Sequence, residues 1–159
     1  MYNDFKSLKG AIIKQLLIAD GDGMQILLFK TRSRYYVYEL TGGCCSESWV
    51  EHISDLSNLI DHEILETDIV FNTDVYICKG EWQEGSHCTC DDNYSEDLQI
   101  YSFKFKTLAG YVDIEFRNSS NGYYCAEIKE RGELSTWEDI SLAYPEFKKE
   151  DFKVIKEDM

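Results

Sequence analysis

Proline is nearly absent from this chain, and so is any long apolar run. Pro145 is the only proline among 159 residues, so no proline-rich linker divides the sequence. Near the N-terminus the apolar stretch 11–19 is interrupted by Lys14 and is followed at once by the turn-forming residues 20–23. This stretch is unlike a signal-peptide core or a membrane span. We therefore expect a cytoplasmic protein.

The length and composition are those of one folded domain. With 43% hydrophobic and 14% aromatic residues, the chain can bury a substantial core and is not generally disordered. We expect a single domain over 1–159, with its core in about 11–130 and a C-terminal extension over 131–159. Since no export signal accompanies them, the six cysteines are interpreted as reduced thiols rather than as a disulfide framework.

Basic residues are scarce in the middle of the chain. Residues 35–103 hold 15 acidic side chains against Lys79 alone, so this segment carries a charge of −14, the same as the whole protein. Such a field repels nucleic acid and anionic membranes, and it favours cationic surfaces or metal ions. Direct binding of DNA or RNA or of a membrane is therefore not expected.

One segment has the periodicity of an amphipathic helix. Apolar residues recur over 46–60 at three- and four-residue steps, which is the spacing of one helical face. Glu47, Glu51 and Asp55 fall four residues apart, and on a helix they would form one stripe of like charge. We expect this helix to be the central one and to lie across a sheet.

Alternating apolar and polar residues predict strands in much of the remaining sequence. A hairpin is expected over 11–29, since the Asp-Gly repeat of 20–23 is a strong turn signal between two apolar runs. Residues 98–129 indicate a three-stranded antiparallel meander with one apolar face. The expected fold class is α+β, a mostly antiparallel sheet with one central helix packed across it. Further expected elements are strands over 35–40, 63–71 and 75–78, a long loop over 80–97, and a short charged helix or a frayed end over 146–156.

Two motifs resemble those of a known domain family. One runs from the aromatic strand at Tyr35 through Gly-Cys-Cys at 43–45 into the Ile-acidic run of 53–60, and the other is the Ser-Asn-Gly-Tyr-Tyr turn at 120–124. Over about 35–128 the chain resembles an uncharacterised family of phage and bacterial proteins, known only as a domain of unknown function. The resemblance implies a small α+β domain with a phage-linked origin and a bacterial host. It implies no activity and no site residues.

The acidic middle segment suggests a surface for a basic partner. Our leading hypothesis is a non-enzymatic binding protein of the phage accessory or counter-defence type, which inhibits a host protein through this surface. The plainer interpretation of such a charge run is a solvated face. The candidate partner-binding residues are Glu47, Glu51, Asp55, Glu84, Asp91 and Asp92.

A small-molecule binder, such as a sponge for nucleotide signals, is the alternative hypothesis. Tyrosine rings could stack on bases while nearby cations meet phosphates, although tyrosines at strand positions more often pack on a sheet face. The candidate ligand-binding residues are Arg32, Arg34, Tyr36, Tyr123 and Tyr124. Tyr35, Tyr38, Lys30, Lys104 and Lys106 are further residues of the same chemistry.

A zinc-stapled interaction domain is a third hypothesis. Its ligands would be Cys78, His87, Cys88 and Cys90, but their spacing differs from that of a standard zinc knuckle. The expectation is therefore no cofactor, with zinc as the alternative.

No arrangement of residues indicates catalysis. Cys44-Cys45 could be reactive, yet no Lys or Arg lies nearby in the sequence to lower a thiol pKa, so packing is the simpler role. His52 lies beside acidic residues but accompanies no nucleophile motif or phosphate-binding glycine loop. We expect no enzymatic activity and no catalytic residues.

Overall fold

Antiparallel strands dominate the computed structural model, which describes residues 5–21, 24–41, 47–78, 81–84, 96–120 and 127–156. In chain order the strands are β1 (Gln15–Gly21), β2 (Met24–Lys30), β3 (Tyr35–Thr41), β4 (Glu47–Ser54), β5 (Glu66–Cys78), β6 (Glu81–Glu84), β7 (Glu96–Thr107), β8 (Gly110–Ser120), β9 (Glu127–Leu134) and β10 (Lys153–Val154). Within the described ranges the one α-helix is α1 (Trp137–Ala143), and 3-10 turns cover Lys6–Leu8, Leu56–Asn58 and Lys149–Asp151.

The strands form two five-stranded sheets. Sheet 1 has the order β10-β1-β2-β3-β9, and sheet 2 has the order β4-β8-β7-β5-β6. Every pairing between these strands is antiparallel, so the predicted mostly antiparallel architecture and the β1–β2 hairpin are confirmed. No helix in the described ranges is long and apolar enough to cross a membrane.

The core lies between the two sheets, and Phe5 is at its centre. The Phe5 ring contacts Phe29 and Tyr38 of sheet 1, with ring centroids 5.7 and 4.4 Å away. It also contacts Phe103 and Phe105 of sheet 2, at 4.8 and 5.6 Å. These distances are typical of favourable aromatic pairs. A single residue from before the first strand therefore joins both halves of the sandwich.

The outer face of sheet 1 is covered by the C-terminal segment. Ile140, Tyr144, Phe147 and Phe152 are buried against the aliphatic residues of that face. Helix α1 begins with a capping box in which Thr136 Oγ1 accepts a hydrogen bond from the amide of Asp139 at 3.2 Å. Trp137 and Ile140 therefore pack on the outer face of sheet 1.

A polar contact secures this covering segment. The Tyr144 hydroxyl donates a hydrogen bond to Glu39 Oε2 at 2.6 Å, and Arg131 Nε lies 2.8 Å from the same oxygen. Arg131 can reach Glu39 because β9 has an extra residue here, where Val37 pairs with Gly132 and Tyr38 pairs with Glu130. Burial, followed by the hydrogen bond to Glu39, raises the pKa of Tyr144, so its phenol holds the proton more tightly in the fold.

The prediction of a central helix over 46–60 is wrong. Residues 47–54 form strand β4, and only Leu56–Asn58 makes a helical turn. The cause is a β-bulge at Glu51, since Val50 pairs with Phe116 while His52 pairs with Glu115. The extra residue puts Val50 and Ile53 on one face although they are three positions apart, which is also the spacing of a helix.

Other expectations also need correction. The predicted three-stranded meander over 98–129 is wrong in its third strand, because β9 pairs with β3 of sheet 1 and not with β8. Strand pairing across sheets depends on distant residues, which local alternation does not reveal. The segments 63–71 and 75–78 belong largely to one strand, β5, and the expected loop over 80–97 contains β6. Residues 149–154 form a 3-10 turn and β10 rather than a charged helix.

Replacing Phe5 by Ala should lower the free energy of unfolding by about 3–5 kcal/mol, because it leaves a cavity between the sheets. Urea unfolding followed by tryptophan fluorescence measures this. Leu108, which is 91% exposed, supplies the control, since Leu108→Ala should change the value by less than about 0.5 kcal/mol. A loss of under about 1 kcal/mol for Phe5→Ala would contradict the central position of this ring.

The Tyr144→Phe variant should be less stable by about 1.5–3 kcal/mol near neutral pH, since it loses a hydrogen bond to a charged group. The raised pKa adds a pH dependence. The stability contributed by the protonated phenol is present below the unfolded-state pKa of about 10 and is lost as the pH rises through the folded-state pKa. Wild type should therefore lose more stability than Tyr144→Phe between about pH 8 and about pH 11. Equal losses would show that Tyr144 does not hold its proton in this way.

Candidate functional site

The strand register divides the charged residues between two ends of the sandwich. One end, named here the turn end, carries the β2–β3 turn at 31–34, the segment 55–65 and the β7–β8 turn at 108–109. The opposite end, named here the acidic end, carries the terminal pairs around Gly21–Met24, Glu47–Ser119 and Cys78–Glu81.

Acidic residues occupy many of the described strand positions at the acidic end. The described residues there are 20–21, 24–25, 40–41, 47–48, 74–78, 81–84, 96–99, 118–120 and 127–128, and they contain no Lys or Arg. Antiparallel pairing places acidic positions of β6 and β7 on either side of the same part of β5, with Glu84 opposite Val75 and Asp97 opposite Tyr76. The acids at this end are Asp20, Glu47, Asp74, Glu81, Glu84, Glu96, Asp97 and Glu127.

The acidic residues that the sequence suggested for partner binding lie at different places in the fold. Glu47 and Glu84 lie at the acidic end. Glu51 lies within β4, where one carboxylate oxygen accepts a hydrogen bond from Trp49 Nε1 at 2.6 Å and the other is 3.9 Å from Arg117. Asp55 begins the turn at the opposite end. The helical stripe of like charge is therefore wrong, while Asp91 and Asp92 lie outside the described residues.

The turn end contains a cleft that we name the arginine cleft. It has a volume of about 480 Å³ and lies between the β2–β3 turn and the segment that leads into β1. Arg32, Arg34 and Tyr36, which the sequence suggested as ligand-binding residues, all line it. Its lining residues are Gly10, Ala11, Ile12, Lys14, Thr31, Arg32, Ser33, Arg34 and Tyr36, and none of them is acidic.

Hydrogen bonds within the turn fix the position of the arginines. The Thr31 amide donates to the Arg34 carbonyl oxygen at 2.8 Å, and the Arg34 amide donates to Thr31 Oγ1 at 3.1 Å. The Ser33 amide lies 3.4 Å from the same hydroxyl oxygen. Threonine at the first turn position is suited to this pattern, because its hydroxyl can accept from amides two and three residues later. The turn therefore presents Arg32 and Arg34 from an ordered backbone.

Neighbouring carboxylates engage two of the three cations. Arg34 Nη1 is 2.6 Å from Glu133 Oε2, and both side chains are about half exposed. Lys14 Nζ is 2.7 Å from Asp61 Oδ1. Arg32 has no hydrogen bond or ion pair within the part of the chain that the structure describes. The cleft thus keeps one guanidinium available for a ligand.

Tyr36 forms an aromatic part of the wall. Burial and the negative charge of Glu133 raise its pKa, so the phenol is neutral at physiological pH and can donate a hydrogen bond. Glu133 also raises the pKa of Arg34 through their hydrogen bond. Glu133, from β9, is therefore the common neighbour of both groups.

A second cleft at this end is less suited to an anion. It has a volume of about 520 Å³, and among its lining residues are the lysines Lys6, Lys9, Lys104 and Lys106. Glu66 and Asp68 line it as well, and Lys104 Nζ is 2.8 Å from Asp113 Oδ1. Glu66 and Asp68 are part of this cleft's own lining, whereas the carboxylates that pair with Lys14 and Arg34 lie outside the lining of the arginine cleft.

The comparisons with known proteins identify the family. Residues 8–129 match a family described as domain of unknown function DUF7448. The chain belongs to this family. This description agrees with the resemblance to a domain of unknown function that the sequence suggested. The comparisons do not show a phage or bacterial origin.

A relative from a giant virus extends the DUF7448 comparison. It is an uncharacterised protein of Acanthamoeba polyphaga mimivirus, 33% identical over 101 residues, which are 62% of this chain and 70% of that protein. No solved structure matches the chain. The DUF7448 match includes every lining residue of the arginine cleft and ends before Glu133.

Other residues proposed from the sequence are not brought to this cleft. Tyr35 pairs with Lys30 on the neighbouring strand, and Tyr38 is buried in the core. Tyr123, Tyr124, His87, Cys88 and Cys90 lie outside the described residues, as do Cys44 and Cys45, and only the backbone of Cys78 is described, in β5. In the described part of the DUF7448 chain, no group of three or more His, Cys, Asp or Glu could hold a metal ion.

Sequence reasoning did not assign Ile12, Lys14 or Glu133 to a site. Lys14 carried a usable signal, since it is the one charged residue in an apolar run. Glu133 carried no such signal, because its contact with Arg34 spans 99 positions of the sequence.

Proposed function

We propose that this protein is a non-enzymatic binding protein whose arginine cleft takes a small anionic ligand. One observation carries the proposal. Three cations, Lys14, Arg32 and Arg34, converge on a cleft with no acidic lining residue, in a protein whose net charge is −14. A cluster of cations is informative in this protein, because acidic residues greatly outnumber basic ones in the sequence as a whole.

The chemistry of the cleft suits an anion. A guanidinium presents several N–H donors in one plane, which match two oxygens of a carboxylate or phosphate. The hydroxyl of Ser33 and the phenol of Tyr36 add neutral donors, whereas the Thr31 hydroxyl already donates to the Arg34 carbonyl oxygen at 3.2 Å. The acidic end is at the opposite side of the sandwich, and at physiological salt charges separated by more than about 8 Å are largely screened. The net charge of the protein therefore does not prevent anion binding here.

Inorganic phosphate should raise the thermal unfolding temperature of the protein, because a ligand that binds only the folded state stabilises it. The same ionic strength of sodium chloride should raise it less. Arg32→Gln should abolish most of the difference, since it removes the unpaired guanidinium. Lys129→Gln removes the same charge from exposed β9 and should keep the phosphate effect. Equal phosphate shifts in the two variants would contradict binding at the arginine cleft.

A second candidate function is favoured by the acidic end. Eight acids and no Lys or Arg in the described residues there would suit a cationic surface on a partner protein. This extends the hypothesis of a phage-type accessory or counter-defence protein that inhibits a host protein in the bacterial cytoplasm. The mimivirus relative supports a viral connection. A zinc-stapled interaction domain stays a third prediction.

A short polylysine peptide should bind the protein at low salt and lose affinity as salt rises from about 0.05 M to about 0.5 M, because exposed charges are screened. The double variant Glu81→Lys/Glu84→Lys should weaken binding several-fold more than Glu138→Lys/Glu150→Lys. Both variants change the net charge equally, but only the first alters the acidic end. Equal weakening would show that net charge alone is responsible, and salt-independent binding would contradict the proposal.

A further inference from the structure

We infer that the ligand of the arginine cleft joins a phosphate group to a flat ring system, as a nucleoside monophosphate does, and that Glu133 acts as an internal counter-ion which this ligand displaces from Arg34. The inference rests on the proposed anion-binding function and adds the ligand class and a residue that controls affinity.

The cleft has two chemically different sides. Lys14, Arg32 and Arg34 supply positive charge, while Ile12 and Tyr36 supply apolar surface. Ile12 is 45% exposed, although an isoleucine of its size is usually buried. A lone phosphate would satisfy the cations and leave this apolar surface in water. A ligand with a ring beside its anionic group would cover both.

The size of the cleft supports the same class of ligand. Its volume of about 480 Å³ falls within the range of about 300–1,000 Å³ that is usual for sites of small molecules and cofactors. A phosphate ion alone would fill only a small part of this space. Tyr36 is half-buried, packs against the core and lines the cleft, so it gives the cleft an aromatic wall beside which a base could pack. The volume and the aromatic wall thus favour a mononucleotide over a simple ion.

Phosphate is favoured over carboxylate by the number of donors. Three cationic side chains and the neutral phenol of Tyr36 surround one cleft, and a phosphate monoester offers three oxygens and up to two negative charges. A single carboxylate would match Arg32 alone, whereas a phosphate monoester has enough oxygens and charge to contact Arg32 and also compete with Glu133 for Arg34. A long nucleic acid is disfavoured, because it would extend beyond the cleft along a protein whose net charge is −14.

Glu133 is placed to compete with the ligand. Its carboxylate holds Arg34 at 2.6 Å, yet Arg34 is 46% and Glu133 47% exposed, so the pair is open to water. Exposed ion pairs of this kind are weak. A dianionic phosphate that already contacts Arg32 can therefore exchange with Glu133 for Arg34. The pair keeps the Arg34 guanidinium at the wall of the cleft and reduces affinity for anions.

Titration calorimetry with adenosine monophosphate, inorganic phosphate and adenosine tests the ligand class. We expect adenosine monophosphate to bind about tenfold or more tightly than either of the other two, as each supplies only one half of the contacts. Equal affinity for phosphate and the nucleotide would overturn the ring inference and leave the proposed anion-binding function intact. Equal affinity for adenosine and the nucleotide, or no binding of any of the three, would overturn both.

The variant Glu133→Gln tests the counter-ion. It should bind adenosine monophosphate about two- to fivefold more tightly than wild type, because the competing charge is removed while the side-chain shape is kept. Glu138→Gln, an equal charge change on α1, should leave the affinity unchanged. Glu133→Ala serves as a second variant, and circular dichroism confirms that each variant is folded. Unchanged or weaker binding in both folded Glu133 variants would overturn the role of Glu133.

Discussion

The contact of the Phe5 ring with both sheets is the constraint on which the rest of the structure depends. Because this ring is fixed between Phe29 and Phe103, the following residues leave the core at a set position. They continue along residues 61–64, where the Gly10 amide donates to the Ile64 carbonyl oxygen and the Ile64 amide donates to that of Ala11. One wall of the arginine cleft is thus built by a segment whose course is decided in the core.

The distribution of charge follows from the same architecture. In an antiparallel pair the start of one strand lies beside the end of its neighbour. Residues that are distant in the sequence can therefore lie at the same end of the sandwich. The acidic positions of β5, β6 and β7 share one end in this way, and the cations of the β2–β3 turn lie at the other end. A protein with a large net charge can therefore still contain a positive site, since local geometry and not the total decides what an anion meets.

Local features of the structure were predictable from the sequence, and distant contacts were not. The β1–β2 hairpin has both apolar alternation and a strong turn signal, and the three candidate residues Arg32, Arg34 and Tyr36 lie within one turn and the strand after it. The helix over 46–60 was predicted wrongly because the bulge at Glu51 places Val50 and Ile53, three residues apart, on one face of the strand, and this is also a helical spacing. The pairing of β9 with β3 and the contact between Arg34 and Glu133 depend on chain segments about a hundred residues apart, for which periodicity holds no information.

Strand β10 is only two residues long, but its position has a consequence for self-association. It pairs with β1 at Leu17 and Ile18, and the Ile155 amide then donates to the Leu16 carbonyl oxygen. Without these bonds, β1 would be an open edge strand of mostly apolar residues, which is a template for pairing with another chain. The residues just before β10, from Trp137 to Phe152, cover the aliphatic outer face of sheet 1. Proteolytic removal of the segment 137–155 would therefore expose an unpaired strand edge and an apolar sheet face together, two features that favour association with other chains.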